Sequence, residues 1–176
     1  MLFGFLTEAL QKSSCAFAAN VIGAKLDSSI TKVLTSGIKL HAIFSILLLF
    51  PLVLFPEFFL DMFIVELRST FTYEQSRVSL MLMWLFFVFE GMGWLIAGIL
   101  TAAKYTQYIM WVNIINVWCL GVAPVYILVY MFGSPPCVVG VCVVFYALSN
   151  FIFFFLKYKK IYAIHQVQKL LENKVS

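Results

Sequence analysis

Four long runs of apolar residues, separated by short polar segments, dominate the hydropathy pattern of the chain. A helix needs roughly 17–25 mostly apolar residues to cross the hydrocarbon core of a bilayer, and each run is long enough. The pattern therefore predicts an all-α membrane protein, a four-transmembrane-helix bundle over residues 38–156. The predicted spans are residues 38–55, 78–100, 105–132 and 137–156.

Weaker helical periodicity marks the segments that flank these runs. In residues 1–37, apolar residues recur at helical spacing opposite lysines and serines, which predicts amphipathic N-terminal helices lying on the membrane surface or on a neighbouring protein. Residues 157–176 are rich in lysine and have a similar spacing of apolar residues, so they predict a basic C-terminal helix. Residues 55–77 combine charges with phenylalanines and predict an interfacial helix or a helical extension of the first span.

Composition strengthens the membrane assignment. Hydrophobic residues make up 63% of the 176-residue chain and charged residues only 11%, whereas a soluble domain carries about 25% charged residues. With so little polar surface, the chain has no room for a basic patch that binds nucleic acid. We expect its partners to be membrane lipids and other membrane-protein subunits.

Positive charges are distributed unevenly between the two ends of the predicted spans. Four spans place both termini on one side of the membrane, and that side carries ten lysines, against Arg68 and Arg77 on the other. Because basic loops stay on the cytosolic side, we predict that both termini face the cytosol or an organellar matrix. The acid-poor N-terminal segment gives the mitochondrial inner membrane a slight preference over endomembranes and the plasma membrane. The ten lysines are Lys12, Lys25, Lys32, Lys39, Lys104, Lys157, Lys159, Lys160, Lys169 and Lys174.

The second span, residues 78–100, contains one ionisable residue, Glu90, near its middle. A carboxyl group at that depth is costly to place against lipid, so it should face other protein. On a helical period Glu90 shares its face with Gly93 and Ala97, a pair of small residues that lets another helix approach closely. In the fourth span, Gly140 and Ala147 lie on one stripe. We predict that these four small residues are helix-packing positions.

Polar residues in the third and fourth spans reach the depth of Glu90. Counted along a helix at about 1.5 Å per residue, Asn116 and Asn150 fall near the level of Glu90, and Asn113 lies about one turn away. The sequence therefore predicts a buried polar cluster of Glu90, Asn113, Asn116 and Asn150, with Tyr146 as a further candidate.

This cluster has two interpretations. Buried amides and a neutral carboxylic acid can simply hydrogen-bond across helices and fix their register. The same groups can form a proton or ion site, or the polar end of a lipid or ligand pocket. Transporters normally show broken helices at such sites. Gly91 and Gly93 follow Glu90 closely, but no second interrupted helix matches them, so the sequence favours the structural interpretation.

Neither the cysteines nor the histidines form a pattern that binds a metal or haem. No CxxC pair and no Cys/His cluster is present, so the four cysteines are expected to be free thiols. His41 lies near the start of the first predicted span and His165 in the tail, which does not suit haem ligation. No motif of nucleophilic or phosphate-binding chemistry is present. We therefore expect no cofactor, no metal and no enzymatic activity. The cysteines are Cys15, Cys119, Cys137 and Cys142.

These features favour a non-catalytic membrane protein, most concretely an accessory or structural subunit of a larger membrane complex, such as an organellar energy-converting complex. Its amphipathic appendages and abundant aromatic residues would contact neighbouring subunits and lipids. One alternative is a stand-alone four-span protein that acts in trafficking or membrane organisation. Another is a small proton-coupled carrier, or a lipid- or ligand-binding bundle, centred on Glu90. The four-span layout is similar to that of MARVEL-type proteins, but no motif assigns the chain to a family.

Overall fold

The computed structural model describes residues 2–26, 29–58, 73–135 and 137–175, with the side chains of the last segment described as far as residue 162. All regular structure in these segments is helical. The interfacial helix predicted over residues 55–77 falls mostly outside them. The helices are α1 (Leu2–Gly23), α2 (Ile30–Leu54), α3 (Tyr73–Ala102), α4 (beginning with Thr106–Asn116 and continuing to Met131) and α5 (Cys137–Val175).

Four of these helices are long and apolar enough to cross a membrane, which confirms the predicted all-α membrane fold. Their membrane-spanning portions are Ile30–Leu54, Glu74–Ala102, Thr106–Met131 and Cys137–Tyr162. The basic C-terminal segment is not a separate helix, because α5 runs without a break to Val175.

The first spanning helix begins earlier than its hydropathy indicates. We predicted a start at residue 38, but α2 begins at Ile30, and both Ile30 and Leu34 are buried in the core. Lys32 and Lys39 lie on the exposed face of the same helix. They lower the local hydropathy without interrupting the buried face. The second short helix predicted within residues 1–37 is therefore the beginning of α2.

Helix α1 packs against α3 along one face, while Phe5 and Phe17 on its other side are exposed. Its Ser14 hydroxyl donates a hydrogen bond to the Leu95 carbonyl of α3 at 3.1 Å, and Ala18 is fully buried. Gly98 of α3 permits this contact, because a Cβ there would overlap Ser14 and the α1 backbone. The sequence predicted a surface location for this helix, and its small buried residues explain why it packs against α3 instead.

The centre of the core is the C-terminal half of α3. Ile96, Ile99 and Leu100 are almost completely buried, and they pack with residues from α1, α2, α4 and α5. In a membrane the lipid is as apolar as these side chains, so close packing rather than water exclusion holds the helices together. Helix α3 is thus the element around which the others are arranged.

Small residues let α5 run parallel to α3 at close range. A Cβ at Gly93 would lie 3.7 Å from the Phe151 backbone, and one at Gly140 would lie 3.0 Å from the Leu82 side chain. Ala97 and Ala147 have no exposed surface. The four small residues singled out in the sequence therefore all lie at buried or tightly packed positions, and Gly93 brings the α5 backbone next to the turn of α3 that carries Glu90.

Helix α4 is the irregular member of the bundle. After Thr106–Asn116 it widens into π-helical stretches at Val117–Val122 and Tyr126–Met131, which flank a short α-helical turn containing Pro124. Proline lacks the N–H that an α-helix needs, so it leaves a backbone carbonyl group without its usual donor. In a membrane helix, local π-helical geometry is one way to give such a carbonyl group another partner. The helix is also peripheral, since only 6% of its most apolar window is buried by the rest of the chain.

Candidate functional site

Two asparagines join α4 to α5 in the middle of the bundle. The Asn116 Nδ2 group donates a hydrogen bond of 2.7 Å to Asn150 Oδ1, and both residues are buried. The Ser149 hydroxyl donates to Asn116 Oδ1 at 3.3 Å. Counting residues along the helices placed Asn116 and Asn150 at one level, whereas Ser149 was not singled out. Its position next to Asn150 was the available signal.

Glu90 lies beside this pair but bonds elsewhere. Its Oε1 accepts a hydrogen bond of 2.7 Å from Trp94 Nε1, one turn along the same helix. Tyr146 of α5 lies between the two parts, close enough to both Asn150 and Glu90 for an electrostatic interaction. Among the described residues no hydrogen bond joins Glu90 directly to an asparagine. The predicted four-residue cluster is thus an amide pair and a carboxyl group, linked by a tyrosine.

Asn113 occupies the next turn of α4 from Asn116. Its Oδ1 atom is buried and has no hydrogen-bond partner among the described residues. Leaving a buried acceptor unpaired costs about 1–3 kcal/mol, so an unpaired amide oxygen beside a polar cluster is a candidate contact for a ligand or water.

The irregular part of α4 starts directly after these asparagines. The Val117 N–H is shared between the carbonyl groups of Asn113 and Ile114 where the π-helical stretch begins. π-Helical insertions occur frequently at functional sites. The sequence interpretation had found no interrupted helix to match Glu90. Gly121 and Pro124, both in this span, were the signal that was overlooked.

His41 forms a second buried polar site, between α2 and α3. It has no exposed surface, its Nε2 donates a 3.0 Å hydrogen bond to the Val88 carbonyl, and its Nδ1 is unpaired among the described residues. A Cβ at Gly91 would overlap its ring. The prediction that His41 lies near the start of its span is wrong, because α2 begins at Ile30, which puts His41 near the middle of the helix.

The chemistry available at these sites is proton transfer and cation binding. The described residues contain no cluster of three or more histidine, cysteine or acidic side chains that could hold a metal ion, and the four cysteines are free thiols. Glu90 is the one acidic side chain of the polar cluster; it accepts a hydrogen bond from the Trp94 indole and lies within electrostatic range of Tyr146. Such a carboxyl group can exchange a proton or offer oxygen ligands to a small cation.

Comparison with known proteins identifies a family. The model of the MatE family, a family of membrane transporters, matches residues 1–127 of the 176. The matched region contains His41, Glu90, Asn113 and Asn116, whereas Asn150 lies beyond it. Neither the curated proteins nor the solved structures include a match. Since the family model covers well over half of the sequence, the chain belongs to the MatE family.

Proposed function

We propose that this protein acts in solute transport across a membrane and that the polar cluster of α3, α4 and α5 is its coupling site. The observation that carries the proposal is the position of Glu90, a carboxyl group in the middle of a spanning helix of a MatE-family protein. An intramembrane acidic residue is expensive to retain and commonly marks a proton or ion pathway.

The surroundings of Glu90 support a site that changes state. One hydrogen bond, from Trp94, stabilises the carboxyl group, and Tyr146 offers a route to the asparagine pair. A neutral carboxyl group is compatible with this apolar setting, whereas an ionised one attracts a proton or another cation. Alternation between these states changes the interaction of α3 with α5.

Helix α4 supports the same proposal, because it combines polar contacts with irregular backbone. Transporter sites are commonly built where a spanning helix departs from regular geometry. In α4 the departure begins directly after Asn116, and the unpaired Asn113 oxygen lies one turn away. Movement of this peripheral helix would expose the cluster without disrupting the core around Ile96 and Leu100.

The first prediction concerns the charge of Glu90. The variant Glu90→Gln keeps the shape and the hydrogen-bond acceptor but removes the titrating group, so proton-driven uptake should fall at least about tenfold while folding is retained. We would measure uptake of a fluorescent organic cation, ethidium, into proteoliposomes with an imposed pH gradient. Ethidium suits the site because the charged group of the cluster is acidic.

The matched control is Glu74→Gln, which removes an exposed carboxyl group at the start of the same helix. This variant should transport like the unmodified protein. Undiminished proton-driven uptake by Glu90→Gln would leave the cluster with a structural role in helix register only.

A second candidate function, an accessory subunit of a larger membrane complex, is favoured by the exposure of α4. Large side chains such as Trp111, Ile115 and Trp118 are uncovered by the rest of the chain, and lipid or another membrane protein must cover them. Native gel electrophoresis after extraction in mild detergent separates these possibilities. Reproducible comigration with unrelated subunits supports the accessory role, whereas a particle containing this chain alone contradicts it. No observation favours the trafficking alternative.

A further inference from the structure

A cavity of about 320 Å³ lies at the basic end of the bundle, where α1 ends, α2 begins and α3 is followed by α4. Its volume is at the lower end of the range for ligand pockets. Apolar side chains from α1, α2, α3 and α5 form most of its wall, and it shares no residue with the polar cluster. The polar part of the lining is Lys25, Tyr105, Tyr158 and Tyr162.

Tyr158 brings an unused hydrogen-bonding group to this cavity. The residue is 7% exposed, and its hydroxyl has no hydrogen-bond partner among the described residues, although Thr31 is near enough for a weak interaction. Buried tyrosine hydroxyls usually find a partner. A ligand with an acceptor oxygen in the cavity would supply one.

Lys25 stands at a backbone position that normally favours glycine. Its φ of 57° is in the left-handed region, and the Leu26 N–H bonds back to the Val21 carbonyl at 3.0 Å, which closes the end of α1. Lys104 ends α3 in the same way, with a φ of 67°. Glycine adopts this conformation without strain. A lysine here keeps a positive charge at some conformational cost.

Among the described residues, no acidic side chain pairs with the lysines around the cavity. Lys157 Nζ lies 4.6 Å from the centre of the Tyr105 ring. In the described part of the chain the one ion pair joins Lys12 to Glu8, on an exposed face of α1, so neither Lys25 nor Lys157 has a carboxylate partner there. Tyrosines and lysines at the end of spanning helices are typical of the headgroup level of a membrane.

We propose that this cavity binds the headgroup of an anionic phospholipid. The Lys25 ammonium and the Tyr158 hydroxyl donate hydrogen bonds to phosphate oxygens, and Ile30 and Ile161 contact the glycerol and the beginning of an acyl chain. The apolar wall distinguishes this ligand from free phosphate, which would leave most of the cavity unfilled. The lipid would tie α1 and α2 to α5 at one end of the bundle.

The test measures binding of phosphatidylglycerol to the purified full-length chain in detergent, by thermal shift and by lipid retention in native mass spectrometry. Phosphatidylcholine and glycerol 1-phosphate are the comparison ligands. Phosphatidylglycerol should raise the melting temperature, and the other two should not. Lys25→Gly should weaken its binding about tenfold, and Tyr158→Phe about threefold, from the loss of a charged and a neutral hydrogen bond respectively.

Lys104→Gly is the matched control, because it removes the same charge from the same backbone conformation on a residue outside the cavity lining. It should change binding less than twofold. Both glycine variants relieve a left-handed lysine, so both should fold. Equal losses in Lys25→Gly and Lys104→Gly would overturn the proposal, because net charge alone would then explain binding.

Two further outcomes would also overturn it. Equal stabilisation by glycerol 1-phosphate would show that the site recognises a soluble phosphate. Tyr158→Phe removes an unpaired hydroxyl, so the lipid-free protein should be as stable as before or more stable. If Tyr158→Phe instead destabilises the lipid-free protein and leaves lipid binding unchanged, the hydroxyl has only a structural role.

Discussion

At the scale of the residue, Gly91 determines how α2 meets α3. The His41 ring lies where a side chain at residue 91 would project, and its Nε2 donates to the Val88 carbonyl of the same turn. Phe87 covers the ring from one side, with the ring centres 5.1 Å apart. The histidine is thus held by packing, by this hydrogen bond and by a longer contact of 3.4 Å between its Nε2 and the Ser45 hydroxyl, next to the turn that presents Glu90.

Gly91→Ala should therefore destabilise the protein. The added methyl group forces the His41 ring out of place, and overpacking of this kind costs about 1–3 kcal/mol. We expect a lower melting temperature in detergent. Gly121→Ala is the control, because a Cβ there would meet nothing within 4 Å. Equal melting temperatures for the two variants would show that α2 adjusts to the methyl group without cost.

At the scale of the element, α3 and α4 have contrasting roles. Helix α3 is regular, buried and in contact with the helices around it, so it suits a fixed support for Glu90. Helix α4 is peripheral and changes its hydrogen-bonding pattern twice around Pro124. An irregular helix at the edge of a bundle can shift at a lower cost than a packed central one.

Pro124→Ala tests the role of this irregularity. Alanine restores the missing N–H and permits a regular α-helix, so thermal stability should stay the same or rise. If α4 moves during transport, the rate of ethidium uptake should fall by about tenfold or more in the stiffened helix. Thermal unfolding and proteoliposome uptake measure the two effects separately. A variant that is both more stable and fully active would show that the π-helical stretches have no part in transport.

Hydropathy predicts the four spanning helices, but it does not predict where α2 begins or which side chain Glu90 contacts. A helix of a soluble protein is apolar on one face, whereas each of these runs is apolar almost throughout, so the four spans could be recognised directly. The start of α2 could not be recognised, since Lys32 and Lys39 lie on its exposed face and reduce the average hydropathy. Depth counting brought Asn116 and Asn150 together because the rise of a helix is constant. It could not choose between Trp94 and an asparagine as the partner of Glu90, because that choice depends on side-chain rotamers.

At the scale of the whole molecule, the direction of α1 bears on the topology predicted from charge. We infer that α1 and α2 form an antiparallel pair, because only six residues separate Gly23 from Ile30 and the two helices share a groove lined by Leu10, Val21, Ser29 and Leu40. The 22 residues of α1 extend about 33 Å at 1.5 Å per residue. We infer that α1 begins about a bilayer thickness away from Lys25, whereas the original prediction placed both termini on the basic side.

Single-cysteine labelling tests this arrangement, in a background where the four native cysteines are replaced by alanine or serine. Cysteines introduced at Lys25, Lys104 and Lys174 should react with a membrane-impermeant maleimide from one side of sealed vesicles, the cytosolic or matrix side. A cysteine at Leu2 should react from the other side. Labelling of all four positions from the same side would restore the prediction that both termini face the cytosol or matrix.

We propose that this MatE-family protein moves a solute at the expense of an ion gradient. The most direct measurement is ethidium uptake by the unmodified protein, reconstituted from the particle isolated in mild detergent, with proton movement followed by an internal pH dye. We predict uptake that depends on the imposed pH gradient, is accompanied by opposite proton movement and stops when nigericin collapses the gradient. Uptake equal to that of protein-free vesicles, with no associated proton movement, would contradict the account.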